Sequence, residues 1–408
     1  MVKLTPRLFL GWLSGLCLAV LAFSQAAASV GLAIEGFRPL GAGFFSWRGG
    51  QMRLSMKIFE SRDRANAERA IGVGRSTLHL APLTPRSLWL VGQGMEIKGD
   101  LPGARRAMTQ AERISRRDGA VELWLGSDNF RRGEVEAGLR NFDLMIRGDR
   151  NAGSAIMPRL SLIILAPEGR RHLMPYIRKD NPWLADLMQA AVAHLPRAEP
   201  LAVLLIDREQ KAPDVDTLYP VYSALMKRLV QERAYGPALR LHSLLPGADP
   251  ANLRDVGAIG DGTPDKGYPP FIWDFPDSSD RGGSVVGVAG GNGLDIFGSP
   301  GTVGVAASKL VTPQGASALR WRIDDRTTNV QSDAVWEATC LTGKAAGSVR
   351  RSANLLDESF PLGRAMTMPL PDDCSLLRIE MRIAGGIGRT PAAITVSGLK
   401  LTGDDGKQ

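Results

Sequence analysis

Laid over itself at an offset of 34 residues, the stretch 87–150 repeats its small residues: Gly92 falls on Gly126, Gly99 on Gly133 and Ala104 on Gly138. The apolar positions keep the same offset, with Val91 on Leu125, Met108 on Phe142 and Ala111 on Met145. A period of this length, with small residues where two helices must cross, is the mark of a repeated helical hairpin. Such hairpins cannot bury their apolar faces alone. They stack, and the stack leaves a long surface open to a partner. The repeat therefore points to binding rather than to chemistry.

The start of the chain adds a compartment. Lys3 and Arg7 precede an uncharged run over 8–34. A basic start followed by an apolar stretch reads as an export or membrane signal. The run is long enough to cross a hydrocarbon core as one helix, which makes 1–34 a signal anchor. Ala26-Ala27-Ala28 leaves open the alternative of signal cleavage. In both cases the positive charges ahead of the segment place the rest of the chain on the exported side.

Beyond that segment the texture divides in two. Residues 51–250 keep helical periodicity around the clear repeats, with Ala70 one period before Ala104. A further hairpin is expected over 222–245, turning at Ala234-Tyr235-Gly236-Pro237. Asn181-Pro182-Trp183 reads as a helix start, with Asn181 as cap and Trp183, Leu184, Leu187, Met188, Ala191 and Leu195 on one face. The run 156–165 is apolar almost all round and reads as a buried helix. The net charge is +8, and it sits in this helical half. Most of these charges solvate helix faces, although such a half can also face an acidic partner or anionic lipid headgroups. With export and no recognition motif, nucleic acid is excluded as a partner.

After Pro250, Gly, Pro, Asp and Ser become dense. Short strands are expected at 271–275, 284–289, 294–297, 302–310, 318–323, 334–341, 348–351, 365–370, 376–383 and 393–401. Strands at spacings near ten residues argue for an antiparallel β-sandwich, a jelly roll, over 268–403. Cys340 and Cys374 are the cysteines of this region. In an exported chain such a pair forms a disulfide, and two free buried thiols are the alternative. The fold class is thus α + β and multidomain: a membrane helix, an α-solenoid over 51–250 and the sandwich.

No catalytic residue, metal site or cofactor site emerges. His79, His172, His194 and His242 are not paired at metal-ligand spacing. Gly282-Gly283-Ser284-Val285-Val286 lacks the final glycine of a nucleophile elbow. Gly290-Gly291-Asn292-Gly293 has no strand-to-helix context for a phosphate loop. Carboxylate pairs occur at Asp214/Asp216, Asp324/Asp325, Asp357/Glu358 and Asp372/Asp373, and Asp214-Val215-Asp216 reads as a solvated loop. Adjacent strand residues point to opposite faces, whereas a glycosidase needs carboxylates facing each other across a cleft.

The membrane segment, the tetratricopeptide-like helices with their Asn181-Pro182-Trp183 start, and the sandwich opening with Pro270-Phe271-Ile272-Trp273 together resemble envelope proteins of Gram-negative bacteria. Those tetratricopeptide-repeat proteins are associated with exopolysaccharide or capsule export. The last domain, with Trp321, Cys340, Cys374 and the strand 394–401, is similar to jelly-roll carbohydrate-binding modules. Departures are clear, since Leu88 and Glu122 stand where the repeat commonly has Trp. The resemblance implies a non-catalytic periplasmic adaptor held in the inner membrane. Its partners would be polysaccharide export or biosynthesis proteins and a glycan. The alternatives are a polysaccharide hydrolase or lyase with a buried carboxylate or a His–Tyr cluster at the domain junction, and a pure protein scaffold. Sugar binding uses exposed aromatics, which makes Trp273, Trp321 and Trp336 the candidates, with core packing as the competing role for each.

Overall fold

The computed structural model describes residues 62–259 and 267–403, with Gly15 and Ala19. The rest of the expected membrane segment, 1–34, lies outside the described residues. Among the described residues no helix is long and apolar enough to cross a membrane. The protein is α + β. Among the described residues from 62 onward, eleven α-helices precede two antiparallel sheets, and the chain forms two compact units that divide between Ile156 and Met157.

In the first unit, α1 (Arg64–Leu80) leads into α2 (Pro85–Ile97), α3 (Leu101–Ile114), α4 (Gly119–Arg131) and α5 (Val135–Gly148). The bounds of α4 and α5 lie one 34-residue period after those of α2 and α3, so the sequence repeat is a repeat of structure. Each hairpin turns on a glycine with positive φ, Gly99 (88°) and Gly133 (77°). The same pair of hydrogen bonds closes both turns. Asp100 N and Gly99 N donate to the carbonyls of Met95 and Glu96, and Glu134 N and Gly133 N to those of Asn129 and Phe130. Only a residue without Cβ takes that left-handed position at no steric cost.

Small residues set the helix crossings. At α4/α5, Gly126 faces Gly138, and an added Cβ on Gly126 would stand 2.8 Å from the Phe142 ring. Phe130 and Phe142 stack beside this crossing, their centroids 5.3 Å apart. At α2/α3 a Cβ on Gly92 would instead meet the flexible end of Met108. The core between the hairpins is built from Trp89, Leu90, Ala104, Met108, Ala111, Val121, Trp124 and Leu125.

After α6 (Arg150–Ser161), the helices α7 (Pro167–Leu173), α8 (Leu184–His194), α9 (Glu199–Ile206), α10 (Tyr219–Gln231) and α11 (Tyr235–His242) keep no period. The helix start differs from expectation: the N-cap of α8 is Trp183, with no side-chain cap bond, and Asn181 Oδ1 accepts from Trp183 N in the turn that precedes it. The expected face of α8 is buried throughout. The run 156–165 differs from expectation. It passes from α6 into a 3-10 turn, Leu162–Leu165. Residues i and i+3 eclipse in such a turn, so Leu162 and Leu165 share the outer side and are exposed while Ile164 is buried. The α10/α11 hairpin turns at 232–234, two residues before the expected position. There Arg233 adopts φ 60° and makes the glycine-type closure, with Ala234 N on Leu229 O.

Nine strands follow: β1 (Arg281–Val288), β2 (Gly291–Gly298), β3 (Val303–Val311), β4 (Ala318–Thr327), β5 (Asp333–Gly343), β6 (Val349–Arg351), β7 (Ala365–Pro369), β8 (Cys374–Ala384) and β9 (Ala392–Thr402). They form a five-stranded sheet, β1-β2-β9-β4-β7, and a four-stranded sheet, β3-β8-β5-β6. One apolar core draws on both, with Leu294, Ile296, Leu319, Trp321, Ile323 and Val396 from the first sheet and Trp336, Ala338, Ile379 and Met381 from the second. Cys340 on β5 and Cys374 on β8 are joined by a disulfide, Cα–Cα 5.7 Å. The expected first strand, 271–275, is not one: Phe271 and Ile272 lie in a bend, where Phe271 N donates to Tyr268 O. It makes only a single bridge, Asp274 to Ser308 of β3.

The segment 268–274 instead fastens the helices of the second unit to its sheets. Tyr268 OH donates to Pro246 O (2.6 Å) and its ring stacks on Tyr219. Phe271 packs on His242 at 4.9 Å, Trp273 packs on Trp336 in the sheet core, and Asp274 takes Lys227 of α10 at 2.7 Å. The helices from Met157 onward thus belong to the same compact unit as the sheets. The compositional change after Pro250 falls inside that unit.

Candidate functional site

Along α4, Leu123, Ser127 and Arg131 recur at intervals of four and form one stripe. Beside it Trp124 Nε1 donates to Glu96 Oε2 of α2 at 2.9 Å. That carboxylate also pairs with Arg62 (3.0 Å) and with Arg131 (3.4 Å), and the Arg131 guanidinium lies 5.9 Å from the Trp124 ring centre. Arg131 also reaches Asp128 (3.6 Å), so in this cluster Arg62, Arg105, Arg131 and Arg132 meet Glu96, Asp128 and Glu134, which leaves one positive charge in surplus. Leu123 completes the stripe. It occupies the repeat position of Trp89, yet Trp89 is 1 % exposed and Leu123 37 %. In the first hairpin Arg86 lies over that indole at 5.2 Å. The second hairpin leaves its counterpart uncovered. An apolar centre flanked by net positive charge suits an acidic protein surface.

Beneath this face runs a buried polar chain. Arg105 of α3 holds Asp128 of α4 through two bonds (2.7 and 3.2 Å), and Arg132 adds a third at 3.3 Å. Burial alone would raise the Asp128 carboxyl, but these arginines hold it below its usual range. Asn129 Nδ2 donates to Asn141 Oδ1 (2.9 Å), and Asn141 Nδ2 donates to Glu122 Oε2 (2.6 Å). Glu122 is fully buried, and its Oε1 has no hydrogen-bond partner among the described residues. Burial, with the Glu112 charge nearby, pushes its pKa from 4.5 to about 7. The departure from the repeat pattern at position 122 is therefore a carboxyl close to half-ionised at neutral pH.

The three candidate tryptophans lie in the sheet core. Trp273, Trp321 and Trp336 are 6 %, 3 % and 0 % exposed. Their rings pack on one another, with centroids 5.9 Å apart for Trp273/Trp336 and 6.3 Å for Trp321/Trp336. They offer no aromatic platform to solvent.

A His–Tyr cluster of the kind a lyase would use does occur where the helices of the second unit meet its sheets. His242, Tyr222 and Tyr268 are all at 0 % exposure. The tyrosine hydroxyls are spent on the carbonyls of Pro213 and Pro246. Burial holds His242 neutral, with a pKa lowered to about 4. These groups pack the joint and present no atom to a substrate.

The carboxylate pairs are local too. Asp214 accepts from Tyr219 OH (2.8 Å), Asp324 from Arg322 Nε (2.8 Å) and Asp357 from Ser359 N (2.8 Å). Gly290 and Gly291 make the β1–β2 turn, both with positive φ. Among the described residues no group of three His, Cys, Asp or Glu side chains could hold a metal ion. Neither a protein-family model nor a curated protein sequence matches the chain.

Proposed function

We propose that the protein is a non-catalytic adaptor of the bacterial envelope, a tetratricopeptide-like α-solenoid joined to a jelly-roll sandwich, acting in assembly or export of polysaccharide. The observation that carries this reading is Leu123, left exposed at the repeat position where the first hairpin buries Trp89, beside the surplus charge of the Arg62 and Arg131 cluster. Stacked hairpins bind partners along such faces. The Cys340–Cys374 disulfide supports an oxidising compartment. A membrane anchor over 1–34 with both units in the periplasm fits that chemistry. The choice of polysaccharide export rests on the resemblance of the chain's layout.

A photo-crosslinking residue placed at position 123 of the full chain in its host tests the partner face. The expected adduct joins position 123 to an acidic face of a polysaccharide-assembly protein and is lost with Arg131→Glu. Equal yield from a probe at Arg140, on the partner helix α5, would overturn the assignment of the face.

A further inference from the structure

Charge on the outer side of the five-stranded sheet is mostly closed into pairs. Arg322 Nε donates to Asp324 (2.8 Å) and Ser397 Oγ (2.7 Å), and Thr395 donates to Asp295 (2.9 Å). Three cations stand outside this pattern. Arg320 and Lys400 are directly opposed in the β4/β9 register. Both are exposed, between the inward residues Leu319 and Trp321 on one strand and Leu399 and Leu401 on the other. Lys400 also lines an open cavity of about 460 Å³ with Arg254, Asp255, Pro250, Ala251 and Leu401. Arg254, Arg320 and Lys400 have no carboxylate partner among the described residues. Like charges directly opposite on neighbouring strands destabilise a sheet, and an anion held between them removes that cost.

The wall that carries Arg254 is fixed. Leu253 O accepts from Thr312 N (2.6 Å) and Thr312 Oγ1 (3.0 Å). The fully buried Lys309 of β3 donates from Nζ to the carbonyls of Asp255 (2.8 Å) and Ala258 (3.0 Å). Asp255 Oδ1 accepts from Gly257 N at 2.8 Å. Gly257 lies so close to β9 that an added Cβ would stand 2.2 Å from Leu399 O. With both flanking carbonyls clamped, the backbone that carries Arg254 is fixed on the wall of the cavity that Lys400 also lines, which lowers the ordering cost of binding.

We infer that this cavity binds an acidic saccharide, with the carboxylate of a uronic acid residue on Arg254 and Lys400 and with Arg320 extending the cationic strip. The ligand class follows from the mixed lining. A carboxylate answers the cations, ring hydroxyls donate to Asp255, and the apolar face of a sugar ring rests on Pro250 and Leu401. Inorganic phosphate would answer the cations but has no ring face to rest on Pro250 and Leu401. The assignment deepens the adaptor reading and rests on it for the choice of a glycan.

The test is titration of the full chain, in detergent, with a galacturonic acid oligomer and with its methyl ester. The acid form binds at low salt and weakens as salt rises. Binding falls at least tenfold in the Arg254→Gln/Lys400→Gln double variant, falls by a smaller factor in Arg320→Gln, and is lost with the ester. Absence of binding, equal binding of the ester, an unaffected double variant, or inorganic phosphate competing at equal concentration would each overturn the inference. The crosslink at position 123 separates the two readings. Saccharide binding without that crosslink removes the adaptor face and keeps the cavity, and the reverse result removes the cavity alone.

Discussion

Replacing Glu122 by Gln converts a buried titrating group into a neutral one of the same shape, and the structure sets the size and sign of the effect. The carboxyl lies between α3 and α5, with Glu112, Asp118 and Arg116 as the nearest charges and Asn141 as its hydrogen-bond donor. Its pKa is 4.5 when free and about 7 when folded. Below pH 4.5 both states are protonated and the group contributes no pH dependence. Between 4.5 and 7 the unfolded chain gives up a proton that the folded chain keeps, so stability falls as pH rises. At 1.36 kcal/mol per pH unit, the loss reaches about 3 kcal/mol and levels off above pH 7. Glu122→Gln removes this loss. It matches the parent near pH 4.5 and exceeds it by up to about 3 kcal/mol at pH 8. Hydrogen exchange of the amides of α4 and α5 reads the first unit separately from the second. A variant that follows the parent at every pH would refute the reasoning, as would one that is less stable at pH 8.

Four further changes follow from the packing. Gly126→Ala should cost about 1–3 kcal/mol, because the Cβ meets a stacked ring, and Gly92→Ala should cost less because the Met108 end can move; equal melting shifts would contradict this. His242 has the opposite pH sign to Glu122. Its pKa falls from 6.5 to about 4 on folding, so the second unit loses about 2 kcal/mol between pH 7 and pH 5, and His242→Phe should flatten that slope in exchange of α11 amides, whereas an unchanged slope rejects the assignment. Cys340→Ala/Cys374→Ala opens a loop of 34 residues and should destabilise the sheets by about 3–4 kcal/mol, with no change in urea midpoint as the contrary result.

What the sequence revealed depended on how local the signal was. The hairpins α2–α3 and α4–α5 were legible because Gly92, Gly99, Gly126 and Gly133 report a crossing and a turn at fixed spacing. Nine of the strand expectations matched elements because short apolar alternation and Gly-rich turns are also local. The α10/α11 turn was misplaced because Arg233 takes a left-handed φ that its residue type does not signal. The segment 271–275 looked like a strand because of its alternating aromatic residues, but its two buried aromatics face different neighbours, Phe271 on His242 and Trp273 on Trp336. The surfaces were harder to read. Leu399-Lys400-Leu401 shows that Lys400 faces outward, but its opposition to Arg320 needs the β4/β9 register. Its nearness to Arg254 needs the clamp made by Lys309 and Thr312. Neither is written within one stretch of chain. The buried state of Glu122 is equally non-local, since it depends on Asn141 arriving from α5.

The central claim, a non-catalytic adaptor, meets its most direct test when the purified full chain is incubated with the extracellular polysaccharide of its host. Polymer length and free sugar are followed by size-exclusion chromatography and reducing-end assay. An adaptor leaves the polymer at its full length and is retained on it at low salt. Shortened polymer or released sugar would contradict the account and make the protein an enzyme of that polysaccharide.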